Sequence, residues 1–128
     1  MAHKNEDTIR ELYAAFAEGD METVLGLCDD GIVFHVPGKA SFSGDHTKAD
    51  FGVWIGEVMR LCHGTFQEDV LDVLVSDDHV LVVLDHHFVV DGEPRQYFTS
   101  HLWTVKDGRF TEFRELPDDQ DEFTAAWS

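Results

Sequence analysis

Apolar residues near the start of the chain recur at helical spacing. Ile9, Leu12, Tyr13 and Phe16 stand at i, i+3, i+4 and i+7, which predicts an amphipathic helix. Thr8 and Glu11 fit a capping box at its start, and Gly19 a stop at its end. Asp20 then caps a second helix with Met21, Val24, Leu25 and Cys28 on one face. After the turn "CDDG" the pattern changes to a strand, "IVFHV", which Pro37-Gly38 closes. The loop "GKASFSGDH" carries no periodicity and is expected to be a mobile flap. Thr47 and Asp50 cap a third helix bearing Phe51, Trp54, Ile55, Val58 and Cys62. From Gly64 onward the segments "TFQEDVLDVLVS", "HVLVVLDHHFVV", "RQYFTSHLWTVK" and "RFTEFREL" read as strands joined by short turns. The tail "PDDQDEFTAAWS" reads as a short acidic helix anchored by Phe123 and Trp127.

This order predicts an α+β fold in which three N-terminal helices pack on a mostly antiparallel sheet. Turn chemistry then sorts the strand residues by face. A two-residue loop at Asp91-Gly92 sets Val90 opposite Glu93, His86 opposite Tyr97 and Val82 opposite His101. A second loop at Asp107-Gly108 sets Trp103 opposite Glu112 and His101 opposite Arg114. One face would then carry His86, Phe88, Tyr97, His101, Trp103, Glu112 and Arg114. The other would carry Asp85, His87, Gln96, Phe98, Ser100, Leu102 and Phe113. Large aromatics mixed with titratable groups are the usual lining of a small-molecule pocket.

At 128 residues and 43% hydrophobic content, the chain reads as a single domain over 1–128. A formal charge of −17, from 26 acidic and 9 basic residues, disfavours nucleic acid and anionic membranes as partners. The opening "MAHKNEDT" is polar, and no apolar run reaches the roughly 18 residues of a transmembrane span. A cytoplasmic protein is expected, with Cys28 and Cys62 as buried thiols. The eight histidines show no metal-binding spacing. His86 and His87 point to opposite faces, and His35 with His101 lacks a third ligand, so neither metal nor cofactor is expected.

The stretches "LYAAFAEGDMETVLGLCDDGIVFHVPG", "DGRFTEF" and "ELPDDQDEFTAAW", with the order of helices and strands, resemble the nuclear transport factor two-like superfamily, in its SnoaL-like and ketosteroid-isomerase-like branch. The resemblance implies a curved sheet wrapped by helices into a cone, a pocket in its mouth, and a homodimer through the outer sheet face. Ketosteroid isomerases place a general-base aspartate late in the first strand and a protonated aspartate deeper in. Those positions fall at His35 and His101 here, and the isomerases' helix tyrosine falls at Leu12, beside Tyr13. The implied function is a cofactor-independent acid/base enzyme of the isomerase, cyclase or dehydratase type, acting on a small hydrophobic carbonyl compound. His35 and His101 are the expected acid/base pair, neutral because they share an aromatic cavity. Phe16, Trp54, His86, Phe88, Tyr97, Trp103 and Arg114 are the expected substrate-binding residues. A non-catalytic dimeric binding module, and an interaction domain with a filled cone, are the alternatives.

Overall fold

The pattern of apolar positions folds as a helix-covered sheet. In the computed structural model, which describes residues 3–128, the elements run α1 (Lys4–Ala17), α2 (Met21–Gly26), β1 (Cys28–Val36), β2 (Gly44–Thr47), α3 (Phe51–Cys62), β3 (Gln67–Val75), β4 (His79–Val90), β5 (Glu93–Lys106), β6 (Arg109–Pro117) and α4 (Gln120–Ala126). The strands form one six-stranded sheet ordered β2-β1-β6-β5-β4-β3. β1 and β6 run parallel, and the other neighbours are antiparallel. α1 lies on β3 and β4, α3 on β2 and β4, and α4 on β5 and β6. This is the expected cone: an α+β fold with one sheet face covered by helices.

Residues alternate between buried and accessible along β4 and most of β5, as period-2 patterning requires. The inward row joins Ile9 and Leu12 of α1, Val58 and Cys62 of α3 and Phe123 of α4 in one core. Fully burying a side chain such as Phe34 or Phe123 contributes roughly 1.5–3 kcal/mol. Both predicted hairpin loops are tight. Asp91 and Gly92 take φ values of 51° and 78°, and Asp107 and Gly108 take 53° and 76°, the left-handed pairs that match strand twist. The β4–β5 register is the expected one, with His86 opposite Tyr97 and Val82 opposite His101.

The β5–β6 register differs. Thr104 pairs with Glu112 but Val105 pairs with Phe110, so Thr111 is an extra residue bulged out of β6. Beyond it every side chain changes face. Phe113 now stands opposite Trp103 and Glu115 opposite His101, both buried, while Glu112 and Arg114 point outward. The signal was in the sequence: Phe110 and Phe113 are three apart, and no regular strand buries both.

Three smaller expectations also give way. α1 begins at Lys4 rather than Thr8, because His3 caps it through Nδ1, and Asn5 bonds the Ser76 and Asp77 carbonyls. Thr8 sits one turn in, its hydroxyl donating to the Lys4 carbonyl. "CDDG" belongs to β1, so Cys28 starts a strand and is not on the face of α2; both thiols are buried and free. The expected flap is fastened down. Gly44–Thr47 pairs with β1, and Phe42 is buried against Phe123 and Trp127.

The bulge makes a direct prediction. Deleting Thr111 should cost no more than about 1 kcal/mol in urea unfolding, because Phe110 and Glu112 already face Val105 and Thr104 and Glu115 keeps its inward position. Deleting Arg114 should cost several kcal/mol, because it turns Glu115 outward, and an Arg114 deletion as stable as the parent protein would show that this register does not set the face.

Candidate functional site

The inward sides of α1, α3 and the sheet enclose an aromatic cavity of about 70 Å³. Phe16, Phe34, Phe51, Trp54, Phe66 and Phe113 supply much of its wall. A groove of about 620 Å³ between α1 and β3 shares Tyr13, Phe16, Phe66 and Glu68 with it, so these four residues stand between cavity and surface.

Two parallel chains of polar groups run through the apolar wall. In the first, the Trp103 indole N–H donates to the Tyr13 hydroxyl oxygen (3.1 Å), which is paired with His101 Nδ1 at 2.5 Å. The far side of that ring, Nε2, lies 3.1 Å from Glu115 Oε2, to which the Thr99 hydroxyl also donates. In the second, the Trp127 indole N–H donates to the Tyr97 hydroxyl (2.9 Å), which pairs with His86 Nδ1 at 3.1 Å. His86 Nε2 then reaches Glu68 Oε2 at 2.7 Å. Each chain reads tryptophan, tyrosine, histidine, glutamate. The two meet where His86 Nδ1 comes within 3.9 Å of Glu115 and the imidazole centroids stand 5.4 Å apart.

Glu115 is 7% exposed. Burial pushes its carboxyl toward the neutral form, but the His101 charge and hydrogen bond, then His86 and Thr99, hold it below its ordinary range. Burial likewise makes His86 less basic, and Glu68, followed by Glu115 and Asp85, outweighs that and raises it. The expected neutral pair, His35 with His101, does not form, because the two histidines lie on opposite sheet faces; two carboxylates stand beside His86 where only aromatics were foreseen. Burial first, then the Glu68 charge, keeps the Tyr13 phenol well above its usual value; burial and Glu115 do the same for Tyr97. Both stay protonated donors.

Of the expected site residues, His101, Phe16, Trp54, His86, Tyr97 and Trp103 line the cavity. Phe88 is buried behind it, stacked on Trp127 at 3.9 Å between centroids. His35 lies on the opposite sheet face, because Phe34 and Val36 take the inward positions of β1. There it meets Asp45 at 2.8 Å and Glu112 at 3.0 Å. Arg114 is also outside, 3.2 Å from Glu112. Tyr13, Glu68 and Glu115 complete the site and were not foreseen as parts of it. Glu115 was hidden by the bulge, and Tyr13 by one residue of helix rotation. Glu68 has a legible signal, since positions 66, 68 and 70 of an extended stretch share a face and Phe66 and Val70 are apolar.

The Glu115 geometry sets a pH dependence. A carboxyl held below its ordinary range stabilises the fold above about pH 4.5, and that contribution is lost as pH falls through the depressed native value. Glu115→Gln should cost about 3 kcal/mol at pH 7, as expected for breaking a buried pair, and less at pH 3.5 in urea unfolding. An equal cost at both pH values would show that the carboxylate charge contributes nothing.

Comparison with known proteins places this geometry in a family. The SnoaL-like domain model matches residues 9–113. No curated protein matches the chain. Among solved structures, Bal32a from a soil-derived mobile gene cassette is 30% identical over 98% of this chain and 97% of its own, with a TM-score of 0.91. A protein of unknown function with a cystatin-like fold from Xanthomonas campestris is 28% identical over 95% and 96%, at 0.83. TerC, co-crystallised with polyporic acid, shares the fold at 20% identity over 97% and 98%, at 0.85. With its helices laid on one face of a mixed six-stranded sheet, the chain belongs to the SnoaL-like family of the NTF2-like superfamily.

Proposed function

We propose that the protein is an acid/base enzyme of the isomerase, cyclase or dehydratase type, acting without a cofactor on a small hydrophobic carbonyl compound. The observation that carries this reading is the pair of histidine–carboxylate couples, each ending in a tyrosine hydroxyl, inside one aromatic cavity. His86 and His101 take the roles first expected of His35 and His101. With His101 protonated, its Nδ1–H and the Trp103 N–H both donate to Tyr13 oxygen, freeing the Tyr13 proton for a substrate carbonyl oxygen. As charge develops there, the phenol proton moves to substrate and the His101 proton replaces it, which leaves a neutral imidazole that Glu115 holds in place through Nε2. The Glu68–His86 couple, at the groove, accepts the proton from carbon. Phe16, Trp54 and Trp103 hold the apolar body.

The test is hydrogen–deuterium exchange at the α-carbon of small cyclic and aryl ketones in D₂O, followed by NMR. His101→Gln and His86→Gln should each slow catalysed exchange by about 100-fold or more, while His35→Gln leaves it unchanged. Exchange that survives both cavity substitutions would sink the reading.

One observation favours binding without turnover as the second reading. The Trp54 indole nitrogen, in the cavity wall, is buried without a hydrogen-bond partner. A ligand oxygen would supply the missing acceptor. That TerC, a protein of this fold, was co-crystallised with polyporic acid supports a small-molecule ligand for the fold.

The whole chain acts as one domain in a cytoplasmic homodimer formed through the outer sheet face. Phe98 and Leu116 are each 45% exposed there, beside the half-buried Leu81, Val83 and Leu102. Such a patch, uncovered by any helix among the described residues, marks an association surface. Light scattering at micromolar concentration should give a dimer, and Phe98→Asp a folded monomer. A monomeric parent protein would refute it. No described helix is long and apolar enough to cross a membrane.

A further inference from the structure

We propose that Glu68, His86 and His101 bind one first-row divalent metal ion, zinc being the ion whose ligand preferences fit them. No sequence spacing revealed this set, because its members come from β3, β4 and β5 and meet only across the sheet. One ligand atom from each lies within 4.8 Å of the others. Two imidazoles and a carboxylate are a common zinc donor set, with the fourth position left open. All three residues line the cavity, so that position falls within it.

Charge points the same way. Glu68 and Glu115 both line the cavity, and among the described residues no lysine or arginine does. Countercharge there comes either from protons on the imidazoles or from a bound cation. One divalent ion balances both carboxylates and leaves both rings neutral.

The surrounding hydrogen bonds fit a metal site as well. A ligating histidine gives one nitrogen to the ion and donates its other N–H to a fixed acceptor. Tyr97 oxygen is placed to receive it from His86 Nδ1. His101 has such a partner at either nitrogen, Tyr13 at Nδ1 and Glu115 at Nε2. Two ligands of a tetrahedral zinc ion stand about 3.4 Å apart, given bonds of about 2.1 Å. The cluster therefore closes by about 1.4 Å from its 4.8 Å spread on loading. Glu68, whose side chain is 13% exposed against 3% for His86, has the freedom to move. The way in is the groove beside α1, whose lining includes Glu68 and Asp69.

The ion would occupy nitrogens that the proposed reaction uses for protons, so a loaded site cannot relay them and zinc would inhibit proton transfer. Binding itself does not depend on that reading. Chelator-treated protein titrated with cobalt(II) should develop the intense visible band of a four-coordinate ion, saturating at one ion per chain. Zinc calorimetry should show a loss of about 100-fold or more in affinity for Glu68→Gln, His86→Gln and His101→Gln. The double variant His35→Gln/His87→Gln, which removes two histidine–aspartate pairs of the outer face, should bind as the parent does. The proposal is overturned by a weak six-coordinate cobalt spectrum, by affinity that survives in folded cavity variants, or by affinity lost in the outer-face variant. If the cavity variants fail to fold, the spectrum and stoichiometry of the parent protein still decide.

Discussion

Glu115 is a carboxylate placed on the buried face of a sheet, and the polar interior is arranged around its charge. An unpaired carboxylate at that depth would take up a proton or unfold the site. Three groups prevent it: His101 at 3.1 Å, the Thr99 hydroxyl at 3.0 Å on the same oxygen, and His86 at 3.9 Å. Satisfying the histidines in turn recruits Tyr13, Tyr97 and Glu68, and satisfying the tyrosines recruits two indole N–H groups. The network ends in tryptophans because indole donates one hydrogen bond and accepts none. The remainder of the wall is therefore free to be aromatic.

This arrangement couples fold to chemistry. Trp127, from the last helical turn, stacks on Phe88 and holds the Tyr97 hydroxyl, so docking of α4 fixes a group inside the cavity. Trp103 positions Tyr13 from the opposite wall, contacting it edge to face at 6.3 Å. Neither phenol can turn without losing a buried bond, the kind of preorganisation that proton transfer to a developing oxyanion requires. His46 stacks flat on Trp54 and reaches the Phe42 carbonyl at 2.6 Å, tying the β1–β2 connection to the cavity wall.

The outer face obeys different electrostatics. His35, Asp45, Glu112 and Arg114 form a chain of polar contacts there, and the side chains of Asp45 and Glu112 are 69% and 38% exposed. Solvent screens such pairs, so they add little stability. Opposite faces of β1 and β6 thus carry similar residue types with unequal consequences.

Much of this protein was legible in its residue order. Helical spacing in "IRELYAAF", the two Asp-Gly loops and the alternation of β4 determined the elements, the β4–β5 register and the inward set His86, Tyr97, His101 and Trp103. Those features depend on neighbours in the chain, and local sterics settle them. The bulge at Thr111 needed the tertiary fold, because it is settled by which face of β6 buries Phe113 against Trp103 and Trp54. The same constraint sent Arg114 outward and brought Glu115 in. Side-chain period in a strand is two, so one extra residue reverses every later assignment. Only packing across the sheet registers which assignment leaves a carboxylate beside a histidine.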